Sequence, residues 1–165
     1  MLVSLFSMDE RLKQYFEKNK IEYTLYSHPA VFTVEESNKI GMPYKGLHTK
    51  SLFLRDENKN YYLVSMESDK RLDIKYLQLF LKVKKLKFAS PLELKEILKI
   101  SPGSVSVFCI INAKNNIILI LDEALWNSEL VAFHPNVNTE TIDIDHYNFS
   151  KFYSSLNIKK LILKI

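Results

Sequence analysis

Ser51-Leu52-Phe53-Leu54-Arg55-Asp56-Glu57-Asn58-Lys59-Asn60-Tyr61-Tyr62-Leu63-Val64-Ser65-Met66 is two β-rich runs around a polar turn. Residues 51–55 and 61–66 carry aromatic and aliphatic side chains, whereas 57–60 are all charged or amide residues, so the stretch predicts a β-hairpin. A tight hairpin sets its strands antiparallel, which argues against a doubly wound parallel sheet.

Working outward, helix and strand signals alternate with no linker, repeat or low-complexity break. Residues 9–19 place Leu12, Tyr15 and Phe16 on one helical face. Thr33-Val34-Glu35-Glu36 is a capping box and Gly41 a left-handed stop, so 33–40 is expected as a helix. Residues 73–82 put Tyr76, Leu77, Phe80 and Leu81 on a helical face. Ser90-Pro91-Leu92-Glu93 opens another helix, with proline at the first position and Leu94, Ile97 and Leu98 as its buried stripe. Strands are expected at 21–27, 86–89, 105–112, 117–121, 129–133 and 141–144, then a helix near 147–155 and a strand or tail at 158–165. The pattern is α+β, with a mixed or antiparallel sheet in one domain spanning 9–165 after an extension at 1–8.

Composition narrows the function classes. The chain has 165 residues, 47% of them apolar and 25% charged, the profile of a globular protein with a real core. Its net charge of +4 permits a polyanionic partner without requiring one. Cys109 is the single cysteine, so no internal disulfide can form and a reducing compartment is expected. The apolar opening 1–7 lacks a basic start and runs into Asp9-Glu10, unlike a signal peptide. No stretch is long enough to span a bilayer, so a cytoplasmic location without membrane contact is expected. Three glycines leave no phosphate-binding loop, and neither a histidine pair at helical ligand spacing nor a thiolate zinc site is present. No metal and no cofactor are expected. Cys109, flanked by Phe108, Ile110 and Ile111, reads as a buried, inert thiol.

Three short stretches remain. Lys50 stands directly before the strand 51–55. Ser101-Pro102-Gly103-Ser104-Val105-Ser106 is a turn before an apolar run, and Phe133-His134-Pro135-Asn136 ends a strand in a polar loop. Singly, each has an ordinary structural reading: a solvated lysine, a Pro-Gly turn, a His-Pro turn. In this order and at these separations, over residues 9–155, the chain resembles the YbaK and prolyl-tRNA-synthetase-associated editing domains. Within them it is most similar to the free-standing PrdX/ProX type.

The resemblance implies a curved, barrel-like sheet with helices packed around it, and hydrolysis of alanine wrongly esterified to proline tRNA. It implies catalytic roles for Lys50 and Gly103 and a substrate pocket including His134, Asn112, His28, Phe32 and Ser104. Contacts with tRNA are expected from Lys82, Lys84, Lys85, Arg55 and Arg71, with Lys70 and Lys87 comparable. The implied partners are the acceptor stem of proline tRNA and prolyl-tRNA synthetase. Two alternatives stay open: a deacylase for another small amino acid such as cysteine on proline tRNA, or a non-catalytic nucleic-acid-binding or synthetase-associated module. The chain departs from the family loop at Val107 and Cys109, where proline and glycine are usual, and both are expected to reshape the pocket.

Overall fold

The structure, a computed structural model, describes residues 8–30, 32–114 and 116–165. The expected extension at 1–8 falls outside these except for Met8, which packs into the core. Chain order is α1 (Glu10–Lys18), β1 (Thr24–Ser27), α2 (Val34–Ile40), β2 (Leu47–Asp56), β3 (Tyr61–Glu67), α3 (Ile74–Leu81) and β4 (Leu86–Phe88). Then come α4 (Pro91–Glu93), which runs into a π-helical turn at Leu94–Leu98, a 3-10 helix at Val107–Asn112, and β5 (Ile117–Asp122). The chain continues with α5 (Glu123–Trp126), β6 (Leu130–Phe133), β7 (Glu140–Asp145), α6 (His146–Ser155) and β8 (Lys159–Leu163).

Among the described residues the eight strands form one mixed sheet in the order β1-β7-β6-β2-β3-β5-β8, with β4 also on β2. The expected hairpin is its centre: β2 and β3 pair antiparallel from Thr49↔Glu67 to Arg55↔Tyr61. Asp56 fastens the turn, accepting from Asn58 N–H at 2.8 Å, Asn60 N–H at 2.9 Å and the Tyr62 hydroxyl at 2.9 Å. The sheet stays open, with β1 and β8 as its ends.

Both faces of the hairpin region are covered. Leu63 of β3 joins Leu119 and Leu121 of β5 in the larger core, with Phe16, Phe108, Phe149 and Phe152. Tyr62, Val64 and Ile120 point the other way, onto Leu77 of α3. A strand buried on two sides needs apolar residues at successive positions, which explains the unbroken run Tyr62-Leu63-Val64.

Both capping boxes form. Thr33 Oγ1 accepts from Glu36 N–H at 3.1 Å, and Ser90 Oγ accepts from Glu93 N–H at 3.2 Å. Gly41 adopts φ 68°, the left-handed stop expected of it. Three expectations need correction. Residues 107–112 are a 3-10 helix, not a strand, because Ser106 caps the Phe108 N–H at 3.2 Å and the turn seats Phe108 between Phe16 and Phe152, 5.0 and 4.9 Å away. On α3, Tyr76 and Phe80 are exposed, and Leu77 and Leu81 face the core. The strand carrying Lys50 begins at Leu47, so the lysine lies within it, not before it.

Candidate active site

The site is where β2 changes partners. Its first residues pair parallel with β6, Leu47↔Val131 and His48↔Ala132; from Thr49 onward it pairs antiparallel with β3. Past that point β2 and β6 diverge. Thr49, Lys50 and Ser51 line one side of the gap and Phe133 and His134 the other, around a cavity of about 230 Å³. The Gly103 loop and Phe32, just ahead of α2, complete the walls.

Two devices hold this junction. Gly46 has no room for a side chain: a Cβ there would lie 2.6 Å from the Val131 carbonyl carbon and 2.8 Å from Ala132 N. Asp143 of β7 accepts from the Lys45 and Gly46 N–H groups at 2.8 and 3.0 Å, fixing the entry to β2. Across the cavity, Ser104 N–H donates to the Ser101 carbonyl at 3.2 Å and Gly103 adopts φ +87°. Pro102 and Gly103 thus occupy the two central positions of a turn whose second residue needs a positive φ. The Gly103 face packs so closely on Phe32 that a Cβ would meet its ring carbon at 2.9 Å.

Lys50 is half-buried and its ammonium donates to the Lys70 carbonyl, leaving two of its three donors. His134 Nδ1 lies 3.0 Å from the Glu140 carbonyl, so Nδ1 carries the proton and Nε2 is an acceptor. Burial holds His134 below the ordinary histidine range, and neighbouring His28 lowers it further against the raising effect of the Glu140 hydrogen bond. Burial lowers His48 as well, with a further push from His134. Lys50 is therefore the one permanent charge among the residues lining the cavity. No group of histidine, cysteine and carboxylate side chains suited to a metal occurs among the described residues.

These lowered values have a thermodynamic consequence. Below the ordinary histidine value of 6.5 the unfolded chain takes up protons that folded His48 and His134 resist. Stability is then greatest above that pH and falls as the pH drops through the window beneath it. The thermal midpoint is expected to decline between roughly pH 7 and pH 5, less so in His48→Gln/His134→Asn. A flat midpoint across that range would contradict this assignment.

Of the expected site residues, Lys50, Gly103, His134 and Phe32 meet at the cavity. His28 stands behind His134, ring centroids 6.0 Å apart, with Nε2 2.9 Å from the Thr141 hydroxyl. Ser104 faces a neighbouring cavity on the other side of the loop. Asn112 is turned away: its amide donates to the Leu98 carbonyl at 2.9 Å. Val107 and Cys109 are fully buried and line neither cavity, so the walls come from Val105 and Ser106 instead. Burial pushes the Cys109 thiol up to about 12, as expected of an inert cysteine.

The basic residues scatter. Arg55 is committed to Glu93 at 3.2 Å. Lys84 and Lys85 sit by the β2–β3 turn, where their N–H groups donate to Glu57 at 3.0 Å. At about 3.3 Å per residue, the Asp56 end of β2 is roughly 20 Å from Lys50. Arg71 is exposed and follows Lys70, whose carbonyl holds Lys50. His48, Thr49 and Ser51 carry no motif of their own in the sequence. Their only signal is adjacency to Lys50, and it becomes informative once the strand is seen to part from β6 there.

The chain is similar to known proteins in sequence and in fold. Residues 28–152 match the family model of the aminoacyl-tRNA editing domain. The prolyl-tRNA editing protein ProX of Acetoanaerobium sticklandii is 37% identical over 80% of this chain and 82% of its own. The prolyl-tRNA synthetase associated domain-containing protein 1 of Mus musculus is 31% identical over 87% of this chain and 88% of its own. The fold matches a solved structure provisionally described as a trans-editing enzyme for prolyl tRNA synthetase, with TM-score 0.70 and 18% identity over 96% of this chain and 99% of that one. The matched span runs from His28 into α6 and so takes in both flanks of the cavity, the Gly103 loop and the His134 strand end; this chain belongs to the aminoacyl-tRNA editing domain family.

Proposed function

We propose that this protein is a trans-editing deacylase that hydrolyses the ester of mischarged tRNA, with alanine on proline tRNA as its substrate. The observation that carries the reading is the convergence of Lys50, Gly103 and His134 on one cavity in a chain of the editing family. The relative named as a prolyl-tRNA editing protein supports the choice of tRNA.

In this mechanism the aminoacyl group enters between Phe32, Val105 and Phe133, and the terminal adenosine stays at the mouth. Water attacks the ester carbonyl and forms a C–O bond. The oxyanion that develops is stabilised by the Lys50 ammonium and by N–H groups of the Gly103 loop other than those of Ser104 and Ser106, which donate to the Ser101 carbonyl and Cys109 Sγ. The ester C–O bond then breaks, and the departing ribose oxygen takes a proton from the attacking water, relayed by the adjacent ribose hydroxyl. Neutral His134 accepts a hydrogen bond from the substrate amine through Nε2, which a protonated imidazole could not do. Proline is rejected by the walls, because attraction alone distinguishes a methylene by only about 1–3 kcal/mol. Arg71, adjacent to Lys70, is an expected stem contact. Lys82, Lys84 and Lys85 would reach acceptor-stem phosphates farther along the duplex, and prolyl-tRNA synthetase is the expected protein partner.

The test is single-turnover hydrolysis of Ala-tRNA(Pro), Cys-tRNA(Pro), Pro-tRNA(Pro) and Ala-tRNA(Ala). Rapid loss of alanine from proline tRNA alone is expected. Preferential loss of cysteine would move the substrate to that amino acid, and hydrolysis of none by folded protein would remove the deacylase reading.

A further inference from the structure

Behind the Gly103 loop lies a second cavity of about 490 Å³. The two adjoin: Phe32 lines both, and the consecutive residues Gly103 and Ser104 line one each. Phe32 is 67% exposed, so its ring is a free aromatic face at the divide.

The lining of the second cavity carries more positive than negative charge. Arg11, in the first turn of α1, and Lys99, just past the π-helical turn, both line it. Neither forms an ion pair with any described residue; the Arg11 guanidinium makes only a long contact, 3.5 Å, to the Asn112 side chain. Asp9 is the one carboxylate in the lining, and it is engaged as the cap of α1, accepting from Arg11 N–H at 3.0 Å. Asn136, also in the lining, is 6% exposed and held at φ 63°. Its Oδ1 accepts from the Cys109 thiol at 3.2 Å, but its Nδ2 has no partner. A buried amide donor without an acceptor costs roughly 1–3 kcal/mol unless something supplies one.

We propose that this second cavity holds the nucleotide next to the terminal adenosine, through its phosphodiester. Arg11 and Lys99 bind the phosphate, the Ser104 hydroxyl faces the sugar and base, and Phe32 offers a stacking surface between the two nucleotides. The assignment rests on the deacylase reading only for placing the adenosine at the mouth of the first cavity. It makes the protein a reader of a single-stranded 3′ end over at least two nucleotides, not of one esterified nucleoside.

Binding tests this without any hydrolysis. The trinucleotide CCA and adenosine are titrated onto wild-type protein and Arg11→Ala/Lys99→Ala over a range of salt. The expected result is that the variant's preference for CCA over adenosine falls tenfold or more. Its log–log salt slope for CCA should fall by about 0.7, the value for one phosphate contact on a single strand. Arg11→Lys/Lys99→Arg, which keeps both charges, retains most of the preference and the slope. A variant preference and slope equal to wild type would overturn the assignment, as would a wild-type protein that binds inorganic phosphate as tightly as CCA. If CCA binding depends on Arg11 and Lys99 while no charged tRNA is hydrolysed, this site stands and the deacylase reading falls. If charged tRNA is hydrolysed while CCA binding is unaltered in the variant, the deacylase reading stands and this site falls.

Discussion

Lys50→Ala is expected to lower kcat/KM for deacylation by about 10²–10³-fold while the protein remains folded, the usual cost of removing one preorganised donor to an oxyanion. The expectation follows from charge accounting within the cavity. His48 and His134 are both held toward the neutral form, leaving Lys50 as the single permanent cation on the walls. Its backbone is secured independently by the Lys50↔Met66 pairing, so truncation removes a charge and not a strand. The split between parameters identifies what the ammonium touches. A fall in kcat at saturating substrate places it on the developing oxyanion. A rise in KM with weaker salt dependence places it on a phosphate of the terminal nucleotide. Lys50→Arg would not restore the rate fully, because a planar fork replaces a compact charge. A variant within threefold of wild type would remove Lys50 from the mechanism.

The second large effect is structural. Gly46→Ala is expected to destabilise the fold by about 1–3 kcal/mol and lower the thermal midpoint by roughly 2–12 °C. The added Cβ would meet backbone atoms of Val131 and Ala132 and the Asp143 carboxylate at 2.9 Å. Backbone atoms of a paired strand cannot rotate away as a flexible side chain can, so β2 must shift off β6. That shift would also loosen the two N–H bonds that Asp143 accepts. Because the cavity is the gap between these strands, activity should fall along with stability, more than in an exposed-loop variant of equal midpoint. An unchanged midpoint with full activity would show that the junction is not as tight as its geometry.

Much of this could be read from local chemistry. The hairpin, both capping boxes and the Gly41 stop depend on residues within a few positions of one another, and each forms as expected. The run at 105–112 failed because a wholly buried apolar segment has no exposed face to mark its period. Strand and 3-10 helix look alike there, and the cluster around Phe108 decides between them. Asn112, read as the end of that supposed strand, was displaced for the same reason. Conversely, the expected influence of Val107 and Cys109 on the pocket assumed an extended loop; the helical turn points both inward.

By itself the sequence determined the α+β class, the central antiparallel pair, and that Lys50, Gly103 and His134 belong to one recognisable set. Those properties are carried by short-range periodicity, turn chemistry and motif order, all of which survive in a linear string. Tertiary structure alone decided that β2 pairs parallel with β6 for two residues and then parts from it. Strand pairing between residues 47–48 and 131–132 is a long-range choice, set by the steric fit of Gly46 and the reach of Asp143. That choice opens the cavity, brings His48, Thr49 and Ser51 into it, and leaves Asn112 outside.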